Sequence, residues 1–298
     1  MKSIFFSVII PTYNQGNLLK KAISSVLDQS FKNFEIIIID NFSNDETQKI
    51  VEGFKSEKII YEKVRNNGVI AKSRNIGIKI SKGKWLAFLD SDDHWYSERL
   101  QKVSEFLLDD SVYDVICTDE LVINTILNNK KVWKYGPYVS DFYRYLLKRG
   151  NCVSTSASIV KKEFLSKHNI LFNEKRDFIT AEDYDFFMNL AFKNAKFKFL
   201  HQVLGEHLFY NKSQSSNYEP HKAAVMSVTK YHVFEVQDFT EEKEKMWNNL
   251  KVNFYFMDLI YFLKYRREYI KGFFTFFKMF LNFPIKTLNF ILFKMKKN

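Results

Sequence analysis

Trp85-Leu86-Ala87-Phe88-Leu89-Asp90-Ser91-Asp92-Asp93 runs five apolar residues into three carboxylates within four positions. The apolar run is short and continuous, the pattern of a strand buried on both faces of a parallel sheet. Nothing in the folding of such a strand calls for the acids. Asp90, Asp92 and Asp93 repel one another unless a cation sits among them, and clustered hard oxygen ligands suit Mn²⁺ or Mg²⁺. Such an ion keeps some of its waters and completes its shell with substrate phosphates. A solvated acidic loop would read the same way residue by residue. Ligands of open α/β sheets, however, bind at the carboxyl ends of strands, which is where these acids fall.

Working outward from this strand, the first 120 residues alternate strand and helix. Residues 7–10 read as a buried strand ended by Pro11, and Leu19, Ile23, Val26 and Leu27 share one helical face. A second apolar strand covers 34–39 and ends in Asp40, Asn41 and Ser43; a short helix over 46–54 and a third strand over 58–61 follow. Gly68 opens a helical stretch carrying Ala71, Ile76 and Ile80. The pattern implies right-handed βαβ units, an α/β fold with a mostly parallel sheet flanked by helices. Beyond Ser97 the spacing predicts a helix over 99–108, strands over 114–118 and 153–160, and a strong helix over 181–192. Residues 213–217 read as a loop able to close over a bound ligand. The domain reading is 1–215, split into halves 1–95 and 96–215, with a helical region over 216–298.

The composition is that of a folded globular chain, with 27% charged and 46% hydrophobic residues in 298. Cys117 and Cys152 give neither a disulfide framework nor metal spacing, which points to a reducing, cytoplasmic compartment. Lys2 and the apolar run after it imitate a signal peptide, but without a small-residue cleavage site, and cutting there would remove the first strand. No apolar run reaches the length that spans a bilayer. Charge is uneven: residues 251–298 hold ten Lys or Arg against Asp258 and Glu268, about +8 of the net +11, together with fifteen Phe and Tyr. Basic and aromatic together describe a surface meeting anionic lipid headgroups, a peripheral contact at the inner face of the cell membrane. A nucleic-acid face or a helical subdomain, including one that joins copies in a homo-oligomer, would share that composition.

Four blocks in order resemble the GT-A glycosyltransferases of family 2: Ser7-Val8-Ile9-Ile10-Pro11-Thr12-Tyr13-Asn14; Ile37-Ile38-Ile39-Asp40-Asn41; Asn66-Asn67-Gly68 with Ser73-Arg74-Asn75; and Leu89-Asp90-Ser91-Asp92-Asp93. Ala181-Glu182-Asp183-Tyr184 is similar to the acceptor-side motif of that family. The resemblance implies a UDP-sugar donor, a divalent metal (Mn²⁺ or Mg²⁺), and inverting transfer of a hexose or N-acetylhexosamine to a hydroxyl of a lipid-linked or surface-polysaccharide acceptor. No nucleic acid is expected as a partner. It assigns donor binding to Pro11, Thr12, Tyr13, Asn14, Asp40, Asn67, Arg74, Asp90 and Ser91. Within that set Tyr13 would hold the base, Asp40 accept from uracil or ribose, and Arg74 pair with the diphosphate. Asp92 would bind the metal and Asp183 act as base, with Glu182 orienting hydroxyls.

Each assignment has a structural rival. Tyr13 could be core packing, Asp40-Asn41 a turn, and Arg74 a solvated helix charge. Thr180-Ala181-Glu182-Asp183 fits a capping box before Phe186, Phe187 and Leu190. The resemblance also offers His207, 24 positions beyond Asp183, as the imidazole ligand for the metal, ahead of His201 and His221; a lone His serves as readily as a structural residue. Two other functions remain: a sugar-1-phosphate nucleotidylyltransferase, which would want a glycine-rich basic loop where 11–16 has one Gly and no Lys or Arg, and a non-enzymatic basic module binding nucleic acid.

Overall fold

The computed structural model describes residues 3–108, 112–210, 217–285 and 287–288. The alternation expected from the sequence forms: β1 (Phe6–Thr12), α1 (Gly16–Leu27), β2 (Phe34–Asp40), α2 (Thr47–Gly53), β3 (Ile59–Lys63), α3 (Ile70–Ile80) and β4 (Trp85–Phe88). These strands lie in the order β3-β2-β1-β4, all parallel. Apolar residues are continuous along β1 because both faces are covered. Val8 and Ile10 join one core with Leu19 and Ile23 of α1, while Ile9 joins the other with Phe88. β1 does not stop at Pro11 but runs to Thr12. Ile9 bonds toward β4, so Pro11 faces the same side, and β4 has ended by then; the missing N–H leaves no gap in the ladder.

The second half completes a nine-stranded sheet with mixed directions. It comprises β5 (His94–Trp95), α4 (Arg99–Leu108), β6 (Val115–Asn124), β7 (Asn129–Trp133), α5 (Phe142–Arg149), β8 (Ser158–Lys161), α6 (Lys162–His168), α7 (Glu182–Phe192) and β9 (Phe197–Phe209). β8 is antiparallel to both β4 and β6; β9 runs parallel to β6 and pairs antiparallel with β5. The strand expected over 153–160 is shorter because residues 155–158 form a turn, closed by the Ser158 N–H on the Thr155 carbonyl at 3.0 Å and braced by Ser158 Oγ on the Ser154 carbonyl at 2.6 Å. β9 escaped the sequence reading: its register against β6 shifts around Asp119, and such bulges break the period of two.

After residue 216 come α8 (Tyr218–Tyr231), α9 (Lys243–Ile260) and α10 (Tyr269–Asn282). Ala224 and Val228 of α8 and Met246 and Leu250 of α9 belong to the same core as Ile9 and Phe186, so these two helices are built onto the sheet. The closing loop expected over 213–217 falls almost entirely outside the described residues. Among the described residues no helix is long and apolar enough to cross a membrane.

α3 lies against β1 at Gly77, where an added Cβ would come within 2.4 Å of Ile9 Cγ2. Gly77→Ala should therefore cost about 1–3 kcal/mol in urea unfolding, since neither helix nor sheet can give way. An unchanged midpoint would mean that α3 is not pressed onto β1.

Candidate active site

The carboxyl ends of β1, β2 and β4 lie side by side, and the sequence-predicted residues gather there. Tyr13 is 54% exposed, which removes the core-packing reading of its ring. Asn14, at φ 50°, ties two strand ends together: its N–H donates to Ser43 Oγ (2.8 Å), and its Oδ1 accepts from the Asn44 N–H (2.9 Å). Pro11 and Thr12 are buried, and Thr12 Oγ1 has no hydrogen-bond partner among the described residues. Asp40 is wholly buried, its oxygens accepting from the Ser43 N–H (2.9 Å), the Ser43 hydroxyl (2.6 Å) and the Tyr61 hydroxyl. It holds the turn that places Asn14. Asn67 and Gly68, both at positive φ, form an exposed turn ahead of α3.

Arg74 sits on α3 and is buried, neither a solvated charge nor a free arm for a diphosphate. One terminal nitrogen donates to Asp90 Oδ1 at 2.7 Å and the other to Glu182 Oε1 at 2.6 Å, with the Phe172 ring 5.2 Å from the guanidinium carbon. Burial opposes its charge, but the two carboxylates outweigh burial and hold the guanidinium protonated. The end of β4 and the start of α7, 92 positions apart, are thereby joined through one side chain.

The start of α7 is not a capping box. Thr180 lies at φ 80°, Ala181 is the N-cap, and no side chain caps it. Glu182 reaches back instead, its Oε2 accepting from the Thr180 N–H at 2.9 Å. His221 Nδ1 donates to the Thr180 carbonyl at 3.0 Å, so the strained residue is held from both sides. Asp183 is left half-buried at the helix start, accepting from the Tyr184 N–H (2.8 Å) and Asn151 Nδ2 (3.1 Å). Loss of water and the neighbouring Glu182 carboxylate raise its pKa to about 7, against the pull of Arg74.

Beyond Asp90 the acids divide by role. Asp93 is buried and turned inward, with Oδ2 3.1 Å from His207 Nδ1 and Oδ1 accepting from the Leu208 N–H at 3.0 Å. Despite its burial, His207 has its pKa raised to about 10 by Asp93. Asp92 is raised to about 7, first by burial and then by Asp93 and Asp90. Ser91 donates to Gln15 Oε1, Gln15 Nε2 donates to the Tyr210 hydroxyl at 2.8 Å, and that hydroxyl meets Asp92. His201 pairs with Asp119 and His221 with Thr180, which leaves His207 as the imidazole joined to the acidic cluster.

Among the described residues no three His, Cys, Asp or Glu form a complete metal cage. The donor chemistry still fits a divalent ion that takes only part of its shell from protein. Asp93 fixes His207 through Nδ1, so Nε2 would be the ligating nitrogen once a bound cation displaces its proton, while Asp92 is a hard oxygen donor among like charges.

Sequence reasoning missed Gln15, Tyr210, Asp93's inward turn and Glu120, a buried acid on β6 bonded to the Tyr135 hydroxyl at 2.8 Å. No sequence pattern placed the segment 151–158, yet it reaches the site: Asn151 bonds Asp183, and Ser156 Oγ accepts the Asp90 N–H at 3.0 Å.

A family model described as Glycosyl transferase family 2 matches residues 7–168, more than half of the chain. The UDP-Glc:alpha-D-GlcNAc-diphosphoundecaprenol beta-1,3-glucosyltransferase WfaP of Escherichia coli is 30% identical over 194 residues, covering 64% of this chain and 71% of that protein. Some other curated relatives are matched over less than a fifth of their own length. Among solved structures, S. aureus TarS 1-349 in complex with UDP-GlcNAc has a TM-score of 0.63 at 21% identity, covering 95% of this chain and 82% of that one. The mannosyltransferase PcManGT from Pyrobaculum calidifontis, in complex with GDP-Man and Mn2+, has 0.58 at 12%, covering 98% and 79%. At such identities the likeness is one of fold, the GT-A arrangement.

A carboxyl whose pKa is raised by folding binds its proton more tightly in the native state. Its ionisation therefore weakens the fold progressively as pH rises from about 4, its ordinary value, to about 7. Asp183→Asn should be more stable than wild type at pH 8 and equal to it near pH 4, read by urea midpoints at both. A difference that is the same at both pH values contradicts the raised pKa.

Proposed function

The chain belongs to glycosyltransferase family 2 and is a glycosyltransferase, and on that premise we propose that it moves one hexose or N-acetylhexosamine from a UDP-sugar, with inversion, to a hydroxyl of a lipid-linked or surface-polysaccharide saccharide at the inner face of the cell membrane. The observation that carries the reading is the Asp90–Arg74–Glu182 bridge, which sets the donor end of β4 beside the acid pair of α7. The printed names of WfaP, with its UDP-glucose donor and diphosphoundecaprenol acceptor, and of the TarS complex with UDP-GlcNAc support the donor and acceptor classes. Family membership sets aside the nucleotidylyltransferase and nucleic-acid readings.

In this reading the exposed Tyr13 ring stacks on the base, and the turns at Asn14 and Asn67 line the nucleotide cleft. Asp40 acts through the turn it holds, and Arg74 through the acids it clamps. Asp90 lies where the ribose and sugar meet, with Ser91 fixed beside it by Gln15. Asp183 takes the proton of the acceptor hydroxyl as that oxygen attacks the anomeric carbon and the bond to the diphosphate breaks. Glu182, clamped on one oxygen by Arg74 and on the other by Thr180, keeps Asp183 on the acceptor side. Asp92 and His207 would hold Mn²⁺ or Mg²⁺, which when bound supplies positive charge to the departing diphosphate.

A screen of UDP-, GDP- and dTDP-sugars with a saccharide acceptor and Mn²⁺ tests the proposal. Asp183→Asn should lower kcat by about 10²–10⁴ and leave UDP binding within about twofold, whereas Asp92→Ala should weaken UDP binding in the presence of metal. Transfer by wild type should fall as pH drops through about 7, as Asp183 protonates. Undiminished transfer by Asp183→Asn would remove it as the base.

A further inference from the structure

We propose that α10 lies in the plane of an anionic lipid bilayer and seats the acceptor side of the enzyme on it. This deepens the lipid-linked reading of the acceptor and rests on it for its purpose, though not for its physics. α10 is apolar on two opposite faces. Gly272 and Met279 are buried inward; a Cβ on Gly272 would come within 2.4 Å of Leu263 Cδ2, in the turn before the helix. On the other side Ile270 (76% exposed), Phe273, Phe274, Phe277 and Leu281 (63%) recur at helical spacing and stand open to solvent, with Ile285 beyond the helix end. That stripe has no covering element among the described residues.

Charge identifies what covers it. Residues 261–288 hold six Lys or Arg and one acid, Glu268, which is already paired with Arg266 and Lys271. Lys271 and Lys278 fall one helical edge away from the phenylalanines, so a cationic rim borders an aromatic face. Fourteen residues make a helix of about 21 Å, short of the ~30 Å hydrocarbon core, so insertion is lateral and shallow.

The helix is also connected to the site in a way that gives the contact a direction. Gly272 seats α10 on the turn that follows α9. At the end of α9, Asp258 accepts from the Tyr218 hydroxyl (2.7 Å) and Lys222 Nζ (2.6 Å), and the Tyr261 ring stacks on Tyr218 with centroids 3.8 Å apart. Tyr218 and Lys222 open α8, whose His221 holds the Thr180 carbonyl two residues before Glu182. The acceptor acids and the lipid-facing stripe are thus carried by one helical stack.

The test sediments the full chain with vesicles of phosphatidylcholine alone or with phosphatidylglycerol added, while hydrolysis of UDP-sugar in solution is followed in parallel. Wild type should bind the phosphatidylglycerol vesicles, and less so as salt rises. The pair Phe273→Ser with Phe277→Ser, and separately the pair Lys271→Gln with Lys278→Gln, should each lower partition about tenfold and leave hydrolysis unchanged. Wild type that ignores both vesicle types, or binding indifferent to both pairs, overturns the proposal. So does a solution dimer that the Phe pair dissociates in a protein without vesicle affinity, which would make the stripe an interface between copies. Intact hydrolysis without vesicle binding would fail the membrane contact alone, whereas vesicle binding by a protein inert to every nucleotide-sugar would fail the transferase reading alone.

Discussion

A guanidinium out of water persists only where its charge is met, and Arg74 is met by two carboxylates brought from opposite halves of the fold. Each partner depends on the others. Glu182 is itself buried, so without Arg74 it would be a stranded anion held by one backbone N–H. Breaking a buried pair of this kind by removing one member costs about 3–5 kcal/mol. The close approach of α3 to β1 at Gly77 puts Arg74 in place, and the strained Thr180 turns the first residues of α7 toward it. The geometry of the proposed chemistry therefore rests on a bridge whose central guanidinium takes no direct part in it.

The electrostatics around that bridge are lopsided. Asp90, Asp92, Asp93, Glu120, Glu182 and Asp183 face Arg74, His207 and the buried Arg99, whose own pKa burial lowers to about 10. Asp92 and Asp183, the acids given the metal and base roles, are the two raised to about 7. Each is raised first by burial and then by acidic neighbours, with a different cation opposing the rise: His207 for Asp92, Arg74 for Asp183. A site with this excess of anion is suited to a cation bound together with a diphosphate, and to an aspartate that becomes a useful base near neutral pH.

Much of the first half was legible because local signals and the fold agree there. Apolar runs of strand length, ended by acids or turn residues, fixed β1, β2 and β4 and put Tyr13, Asp40 and Asp90 at one edge. What remained hidden was tertiary. No pattern in the sequence says that Arg74 will turn inward to Glu182, since a helical arginine reads equally as solvated. Asp93 looks like a third ligand until β9 arrives beside it with His207, and β9 was itself obscured by its bulged register with β6. The capping box that Thr180 offered as a rival reading had the right spacing but does not form, because the backbone there adopts a left-handed turn that places Ala181 at the cap.

The central claim is that Arg74 and Glu182 act as a unit across the two halves. A double-mutant cycle of Arg74→Leu and Glu182→Gln, followed in parallel by urea unfolding and by kcat for sugar transfer, tests it most directly. The bridge requires a coupling of about 1–3 kcal/mol in stability, with the double variant losing little more kcat than either single one. Additive losses in both measurements would contradict it, and would mean that the two residues meet without depending on each other.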